Sequence, residues 1–313
     1  MCGSHRRAPG PGREVGCGRD LTPVLVSVPV PSPPISLILP TLNERENVER
    51  FVPALLTELP SICEIVIVDD GSVDGTPEAA ERLGLSDPRV KLLRRSAPPS
   101  LSAAIAEGIA AAKGELIGWT DADLVIAPRD LGRLVEAVRG GADVAIGSRF
   151  APGGRIKGQH RDGVLGRVLA LANLRTTADS ALGVFLSWAL NAVVLPPLVG
   201  APMRDYTSGI IVAKRAALEG VELRGHHGEY FIHLWATLLA GGANVVEVPY
   251  RVQPRRYGRS KTGNNLRDYA VRGRRYLEAG IAAGALLRAG KGRTGDETMP
   301  ARRASSAAKR TSR

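Results

Sequence analysis

Leu116-Ile-Gly-Trp-Thr-Asp-Ala-Asp-Leu124 is an apolar run that ends in two carboxylates separated by one alanine. The apolar part predicts a buried strand, and Asp121 and Asp123 come where that strand would end. Alternate side chains of an extended chain share one side, so we expect the two carboxylates to converge. Two acidic oxygen donors there suit a hard cation such as Mg2+ or Mn2+. Asp-x-Asp also occurs in ordinary turns, so the neighbouring segments must distinguish the two interpretations.

Segments on both sides of this run alternate between strand patterns and helix patterns. Three further strands are predicted at Ile35–Leu39, Glu64–Asp70 and Val90–Leu93. Helices with apolar residues at helical spacing are predicted between them at Asn43–Leu59, Pro77–Leu83 and Leu101–Lys113. Thr41 or Asn43 is expected to cap the first of these helices. Such alternation predicts an α/β fold, a mostly parallel twisted sheet flanked by helices on both faces.

Polar clusters follow three of the predicted strands. They are Pro40–Glu44, Asp69–Ser72 and Asp121–Asp123. Parallel strands end at one edge of a sheet, and open α/β sheets bind ligands at that edge, so the clusters predict one site. No GxGxxG follows the first strand and no GxxxxGK[ST] is present, which excludes the common dinucleotide and P-loop sites.

Charge is distributed unevenly along the 313 residues. The chain carries a formal net charge of +11, and residues 251–313 hold 17 basic and 4 acidic residues, a surplus of +13 that leaves −2 elsewhere. A basic segment suits phosphorylated substrates, anionic lipid headgroups or nucleic acid. Aromatic residues make up 4% of the chain and offer few stacking platforms, so we expect no nucleic-acid partner.

The ends of the chain differ from its middle. Residues 1–34 are rich in Gly, Pro and Arg, and residues 290–313 in Ala, Ser, Arg and Lys, so both predict disordered tails. Residues 264–289 predict a basic amphipathic helix. The apolar run Ala181–Leu195 contains Asn191 and is expected to end at Pro196, short of the roughly 20 residues that span a bilayer. It either packs on the sheet or lies against a membrane surface.

Several ordered blocks of the chain resemble the signature of glycosyltransferase family 2. The blocks are Ser36-Leu-Ile-Leu-Pro-Thr-Leu-Asn-Glu44, Ile65-Val-Ile-Val-Asp-Asp-Gly-Ser72, Asp121-Ala-Asp-Leu124, Gly147-Ser-Arg-Phe-Ala-Pro-Gly-Gly154 and Asp205-Tyr-Thr-Ser-Gly209. With Arg255-Arg-Tyr-Gly-Arg-Ser-Lys261 they are similar to the dolichol-phosphate (polyprenyl-phosphate) mannosyltransferase branch. The resemblance implies a GT-A domain over residues 35–263, a nucleotide-sugar donor, a divalent cation (Mg2+ or Mn2+) and inversion at the anomeric carbon.

The resemblance also implies roles for individual residues. Those expected to hold the nucleotide sugar are Pro40, Asn43, Glu44, Asp69, Asp70 and Asp121. Asp121 and Asp123 are expected to hold the metal ion. The family commonly has Gln two residues after the second Asp, whereas this chain has Val125, which cannot ligate. The metal shell is therefore expected to be thinner, or completed by water or the diphosphate.

Basic residues are expected to act on the phosphate groups. The expected catalytic set is Asp121, Asp123, Arg149 and Arg255, and the expected acceptor-phosphate set is Arg149, Arg161, Ser260 and Lys261. The family more often has Glu where this chain has Arg259, which makes that loop more basic.

These expectations combine into one function with open alternatives. We expect mannose transfer from GDP-mannose to a polyprenyl (dolichyl) phosphate by a peripheral enzyme on the cytoplasmic membrane face. A phosphate acceptor needs no general base, whereas a hydroxyl acceptor would need one, for which Asp205 is the candidate. The alternatives are UDP-glucose as donor, a glycan hydroxyl as acceptor, or a non-catalytic lipid- or nucleic-acid-binding protein on the same fold.

Overall fold

A computed structural model describes residues 33–156, 159, 181–225, 227–253 and 266–296 of the chain. Of the predicted tails, the structure describes residues 33 and 34 at the N-terminal side and residues 290–296 at the C-terminal side. The described strands are β1 (Ile35–Thr41), β2 (Ile62–Asp69), β3 (Val90–Arg94), β4 (Leu116–Trp119), β5 (Val144–Ser148), β6 (Ile211–Lys214) and β7 (Val245–Pro249). The described α-helices are α1 (Arg45–Glu58), α2 (Thr76–Ser86), α3 (Leu101–Ala111), α4 (Pro128–Arg139), α5 (Ala181–Ala189), α6 (Leu195–Val199), α7 (Tyr230–Ala240) and α8 (Leu266–Asp296).

The strands form one sheet in the order β3-β2-β1-β4-β6-β5-β7. β1 pairs in parallel with β2 and β4, β3 pairs in parallel with β2, and β7 pairs in parallel with β5. β6 runs antiparallel to both of its neighbours, β4 and β5. The predicted mostly parallel α/β sheet is confirmed, and the direction of β6 is the feature that the sequence pattern did not predict.

The strand order reverses direction beside β1. β1, β2 and β3 step outward on one side, and β4 returns to the other side of β1. In open α/β sheets the crevice at such a reversal is the usual ligand site. Because β6 is antiparallel, its first residue, Ile211, pairs with Trp119 at the end of β4. Residues that precede β6 therefore reach the same edge as residues that follow β1, β2, β4 and β5.

Apolar alternation in the strands builds one core on each face of the sheet. Leu37 and Leu39 of β1 pack with α1 and α4 on one face, and Ile38 packs with α3 and α7 on the other. All three are fully buried. Burying a side chain of this size stabilises a fold by about 1.5–3 kcal/mol, so both faces must be covered. The two helical layers hold the sheet rigid and leave its carboxyl edge for the loops.

The apolar segment after residue 181 does not end at Pro196 as the sequence predicted. α5 continues into a π-helical turn, Leu190–Val194, and then into α6 through Pro196 and Pro197. Proline is tolerated in the first turn of a helix, because the first N–H groups have no intrahelical partner. The π-helical turn ends just before that position, so both prolines fall in the first turn of α6.

The C-terminal helix α8 extends beyond the predicted range 264–289. It ends at Asp296, so residues predicted as the start of a tail continue the helix. α8 packs against α6 with two glycines at the contact, and a Cβ on Gly280 would lie 2.7 Å from Cδ2 of Leu195. The small residues explain how the two helices come close. Within the part of the chain that the structure describes, no helix combines the length and apolar composition needed to cross a bilayer.

Candidate active site

The loop after β1 is joined to the loop after β2 by reciprocal hydrogen bonds. The backbone N–H of Asn43 donates to Oγ of Ser72 at 2.8 Å, and the N–H of Val73 donates to Oδ1 of Asn43 at 2.9 Å. Asn43 has a φ of 53°, in the left-handed region, which asparagine tolerates better than most residues. Two of the predicted polar clusters therefore form one structural unit.

The same unit caps helix α1. The N–H of Glu44 donates to Oγ1 of Thr76 at 2.9 Å, and the N–H of Arg45 donates to Oδ2 of Asp74 at 3.1 Å. Burial alone would favour neutral Asp74, but the bonds that it accepts from Thr76 and Arg45 lower its pKa overall. The cap thus comes from the following loop rather than from either residue predicted by local sequence, because the strand pairing brings that loop alongside.

Asp69, predicted as a nucleotide-sugar residue, shapes its own turn. Its Oδ1 accepts the N–H groups of Gly71 at 3.2 Å and Ser72 at 3.0 Å, and its Oδ2 accepts the hydroxyl of Thr41 at 3.4 Å. Gly71 has a φ of 90°, a conformation that favours glycine. Asp69 therefore holds the Asp-Gly-Ser turn against the end of β1.

Asp70 is buried and bound to a cation that the sequence analysis did not select. Its carboxylate forms an ion pair with Arg95, which is 3% exposed, and accepts the N–H of Ser100 at 2.6 Å. Arg95 also bonds Glu107 at 2.8 Å. Burial opposes the charge of Arg95, but Glu107 and Asp70 outweigh it and raise the pKa of Arg95. The contacts with Arg95 and Ser100 thus fix the orientation of the Asp70 carboxylate.

The Asp-Ala-Asp segment leaves strand geometry before its first carboxylate. β4 ends at Trp119, and Leu124 has a φ of 61°, so the expected strand alternation does not continue through the two acids. Asp121 is exposed, whereas Asp123 is 6% exposed and accepts the N–H of Val125 at 3.3 Å. The carboxylates follow one strand end as predicted, but a turn rather than alternation orients them.

Few of the described side chains around this turn could ligate a metal ion. Across the described residues, no three His, Cys, Asp or Glu side chains are grouped so as to hold a metal ion. The backbone carbonyl of Val125 accepts the N–H of Gln253 at 2.8 Å, which ties the turn to the chain after β7. Two carboxylates alone suit a hard cation such as Mg2+, which keeps water ligands and takes phosphate oxygens. Asp121 and Asp123 therefore fit a cation completed by water and substrate.

Arg149, which follows β5, is clamped by Asp205, which precedes β6. Its Nε donates to Oδ2 of Asp205 at 2.8 Å and its Nη2 to Oδ1 at 2.7 Å, a bidentate pair. Nη2 also donates to Oγ1 of Thr207 at 2.9 Å. Burial opposes the Arg149 charge, but Asp205 outweighs it and raises the pKa of Arg149. Arg149 is thus a fixed cation at this edge.

The hydrogen bonds that Asp205 accepts bear on whether it can act as a general base. Asp205 is fully buried and accepts four hydrogen bonds, from the N–H, Nε and Nη2 of Arg149 and from the N–H of Thr207 at 3.3 Å. A base needs an oxygen within reach of the proton that it removes. The geometry therefore assigns Asp205 to holding Arg149.

Two tyrosines near Asp121 were missed by the sequence analysis. The hydroxyl of Tyr230 accepts the indole N–H of Trp119 at 2.9 Å, and burial, followed by the charge of Asp121, raises the pKa of Tyr230. Tyr276 of α8 lies over Gly228, and burial, followed by the charge of Glu229, raises its pKa to about 12. Both phenols stay protonated near neutral pH. Only the docking of α7 and α8 brings them to the edge, so no sequence signal marks them.

Some of the remaining predicted residues lie in the part of the chain that the structure describes, and others lie outside it. Pro40 lies at the end of β1, and Glu44 begins the turn into α1. Predicted residues outside the described ranges are Arg161, Arg255, Arg259, Ser260 and Lys261. The structure thus brings Asn43, Glu44, Asp69, Asp70, Asp121, Asp123 and Arg149 to strand ends at one edge of the sheet.

Comparison with known families gives a match over the first part of the chain. The family described as Glycosyl transferase family 2 matches residues 36–183. This range contains the loops after β1, β2, β4 and β5, which supply the predicted acids and Arg149.

Two relatives with assigned names match a longer part of the chain. The polyprenol monophosphomannose synthase of Mycolicibacterium smegmatis is 34% identical over 277 residues, which cover 84% of this chain and 94% of the relative. The dolichol-phosphate mannosyltransferase of Pyrococcus furiosus is 33% identical over 240 residues, 75% of this chain and 61% of the relative. Both matches extend past β5 into the part that contains Asp205.

A solved structure supports the fold. The glucosyl-3-phosphoglycerate synthase of Mycobacterium tuberculosis, in complex with Mn2+, uridine diphosphate and glucosyl-3-phosphoglycerate, superposes with a TM-score of 0.56 at 19% identity. The superposition covers 81% of this chain and 80% of that chain. Similarity at this level of identity shows a shared GT-A-like fold and leaves donor and acceptor to other arguments.

Proposed function

The chain belongs to glycosyl transferase family 2, and on that premise we propose that it transfers a hexose to a polyprenyl phosphate, with mannose from GDP-mannose as the favoured donor. One observation of geometry carries the acceptor class: Asp205 is committed to Arg149 at the edge of the sheet where Asp121 and Asp123 also lie. The names of the two relatives, a polyprenol monophosphomannose synthase and a dolichol-phosphate mannosyltransferase, support mannose as the sugar and a polyprenyl phosphate as the acceptor.

The argument for a phosphate acceptor rests on proton chemistry. A sugar hydroxyl is a poor nucleophile near neutral pH and needs a general base. A lipid monophosphate has a second pKa of about 6, so it is largely dianionic and can attack without losing a proton. The saturated carboxylate of Asp205 favours the acceptor that needs no base. Arg149, a fixed cation at the same edge, suits an anionic acceptor or leaving group.

The joined loops after β1 and β2 supply the nucleotide half of the proposed site. Glu44 and Asp70 are carboxylates at neighbouring strand ends, and carboxylates accept hydrogen bonds from hydroxyl and ring N–H donors. Asn43 and Asp69 hold these loops in shape. We assign base and ribose contacts to this unit, with Pro40 as its apolar floor.

The turn after β4 supplies the diphosphate half. Asp121 and Asp123 would hold Mg2+ or Mn2+, which when bound neutralises charge that develops on the departing diphosphate. Attack by an acceptor oxygen forms one C–O bond at the anomeric carbon as the bond to the diphosphate breaks on the opposite face, which inverts that carbon. Protonated Tyr230 and Tyr276 lie near Asp121 and can donate hydrogen bonds without carrying charge.

Exposed apolar side chains support a membrane surface as the place of reaction. On α5 and its π-helical turn, Phe185 is 43% and Val193 59% exposed, and on α8, Leu277 is 40% and Ile281 56% exposed. On α8, the exposed basic residues Arg274 and Arg275 directly precede this apolar part of the helix. Helices with apolar and basic exposed residues suit the headgroup region of an anionic bilayer.

The transfer assay that tests this proposal has separate donor and acceptor arms. Purified protein is incubated with labelled GDP-mannose or UDP-glucose, with polyprenyl phosphate or a soluble glycan, and with Mg2+ or Mn2+. We expect an organic-extractable product from GDP-mannose and polyprenyl phosphate, lost on chelation. Asp123→Asn should reduce its formation by about 10²–10³-fold, a size typical for loss of one electrostatic catalytic group.

Each alternative predicts a different product. Product with the glycan alone would overturn the lipid acceptor, and product from UDP-glucose alone would overturn the donor. Turnover of Asp123→Asn equal to that of the wild type would overturn the role of the acidic turn.

Binding to vesicles tests the membrane surface independently of turnover. Ile281→Asp should weaken sedimentation with vesicles of anionic phospholipid several-fold, because a charge replaces an apolar contact. Leu85→Asp is the matched control, since Leu85 is a similarly apolar residue, 90% exposed, on α2. Equal loss in both variants, or in neither, would contradict the assignment of α8 to the membrane.

A further inference from the structure

Asn191 is a buried amide in the largely apolar helical segment that exposes Phe185 and Val193. Asn191 lies in the π-helical turn between α5 and α6, and it is 1% exposed although it carries an amide. Burying an amide costs free energy unless every group finds a partner. π-Helical turns are rare and occur frequently at functional sites. The position of Asn191 therefore needs a reason beyond packing.

Hydrogen bonds from Asn191 lead to the loop before β6. Its Nδ2 donates to the carbonyl oxygen of Ser187 at 2.8 Å and to Oγ1 of Thr207 at 2.9 Å. Its Oδ1 accepts the backbone N–H of Tyr206 at 2.7 Å. Both N–H groups and the oxygen of the amide are thus used. One side chain ties the helix to two consecutive residues of the loop.

Those two residues belong to the clamp on Arg149. Thr207 accepts hydrogen bonds at one oxygen atom from Asn191 and from Nη2 of Arg149, both at 2.9 Å. Tyr206 lies between Thr207 and Asp205, the two residues that hold the guanidinium. Fixing the N–H of Tyr206 and the hydroxyl of Thr207 therefore fixes the plane of the guanidinium.

We propose that Asn191 is a positioning residue for the transfer reaction, which orients Arg149 toward the phosphate groups through Thr207 and Tyr206. This inference rests on the proposed function, because it assumes that Arg149 acts on phosphate. It adds that the helix carrying the exposed apolar residues also sets the geometry of the phosphate-binding cation. A planar bidentate group contributes little when rotated away from its ligand, so the loss should appear in turnover.

Kinetic constants of Asn191→Leu test the proposal, since leucine keeps the branched shape and removes all three hydrogen bonds. We expect kcat to fall by about 10–100-fold, the equivalent of one or two lost hydrogen bonds. The KM for GDP-mannose should stay within about twofold, because the nucleotide loops lie on the other side of β4. Thr207→Val, which removes the shared hydroxyl, should produce the same pattern.

The double variant distinguishes positioning from independent damage. If Asn191 acts through Thr207, Asn191→Leu combined with Thr207→Val should be no slower than the slower single variant. Multiplied losses in the double variant would overturn the proposal. Ala192→Ser is the matched control, since Ala192 is the exposed neighbour in the same turn, and its kcat should equal that of the wild type.

A second measurement keeps this inference separate from the proposed function. Wild-type protein that transfers no hexose to polyprenyl phosphate would overturn the proposed function alone. The side-chain Nε–H signal of Arg149 in 15N spectra, assigned with Arg149→Lys, should shift and exchange faster with water in Asn191→Leu and not in Ala192→Ser. An unchanged Arg149 signal in folded Asn191→Leu would overturn the positioning role whatever the substrate.

Discussion

Glu64 lies near the start of strand β2, Asp70 directly follows its end, and the two carboxylates have closely similar surroundings. Glu64 is 2% exposed, forms an ion pair with Lys91 and accepts the N–H of Lys113. Asp70 is 6% exposed, forms an ion pair with Arg95 and accepts the N–H of Ser100. Each is thus a buried carboxylate with one cation and one backbone donor.

Their difference comes from the ends of the sheet at which they lie. Glu64 is at the amino end, where Ser36 adds a third donor at 2.6 Å and closes the cluster. Asp70 is at the carboxyl end, beside the loops that carry Glu44 and Asp121. Burial and pairing therefore do not identify a functional carboxylate. The direction of the strand does, because ligands bind where parallel strands end.

Substituting Asp70 should have the largest effect, because it should change both the stability of the protein and the KM for donor. Asp70→Asn leaves the buried Arg95 with only Glu107 among its described carboxylate partners, and loss of one partner of a buried pair costs about 3–5 kcal/mol. We expect the free energy of unfolding in urea to fall by about 3 kcal/mol, because Glu107 remains, and the KM for donor to rise about 10–100-fold. A variant that loses stability but keeps the wild-type KM would show that Asp70, like Glu64, has only a structural role.

Substituting Glu64 should affect stability alone. In Glu64→Gln, Ser36 and Lys113 keep a neutral acceptor but lose a charged one, so we expect a loss of about 1–3 kcal/mol in urea unfolding. Values of kcat and KM per folded molecule should equal those of the wild type, since the cluster lies at the opposite end of the sheet. A raised KM would show that a change at the amino end of the sheet alters donor binding at the carboxyl end.

The contribution of Glu64 to the free energy of unfolding should depend on pH, because its carboxylate is charged in the folded protein. Burial alone would raise the pKa of Glu64, but the bonds from Lys91, Ser36 and Lys113 lower it below the ordinary value of 4.5. A lowered folded-state pKa contributes stability that is present above pH 4.5 and lost as pH falls through the folded value. The stability difference between wild type and Glu64→Gln should therefore narrow below that pH. A constant difference in urea titrations across this range would contradict the assignment.

The smallest effect should come from the cation of the amino-end pair. The Lys91 side chain is 42% exposed, so water solvates its charge and its pairing energy is screened. Lys91→Met should change the free energy of unfolding by at most about 1 kcal/mol. A larger loss in urea unfolding would mean that Lys91, like Arg95 at 3% exposure, acts as a buried cation.

Much of the fold and part of the candidate site could be predicted from local pattern. Strand and helix periods located β1–β4 and α1–α3, and the acids after those strands pointed to the binding edge. The same patterns failed where the outcome depends on residues distant in sequence. The cap of α1 comes from the loop after β2, and helix formation continues through Pro196 because a π-helical turn precedes it.

The sequence by itself determined the α/β class, the family and the edge at which the acids collect, because hydrophobic periodicity and short motifs are properties of local segments of the chain. Only the tertiary structure decided which partner each charged group takes. Arg149 meets Asp205 because β6 runs antiparallel and returns its first residues to the carboxyl edge. In the sequence, Asn191 is only a polar residue within an apolar run. In the folded protein it hydrogen-bonds with Tyr206 and Thr207. Such contacts join residues 15 to 56 positions apart, a separation that no local pattern encodes.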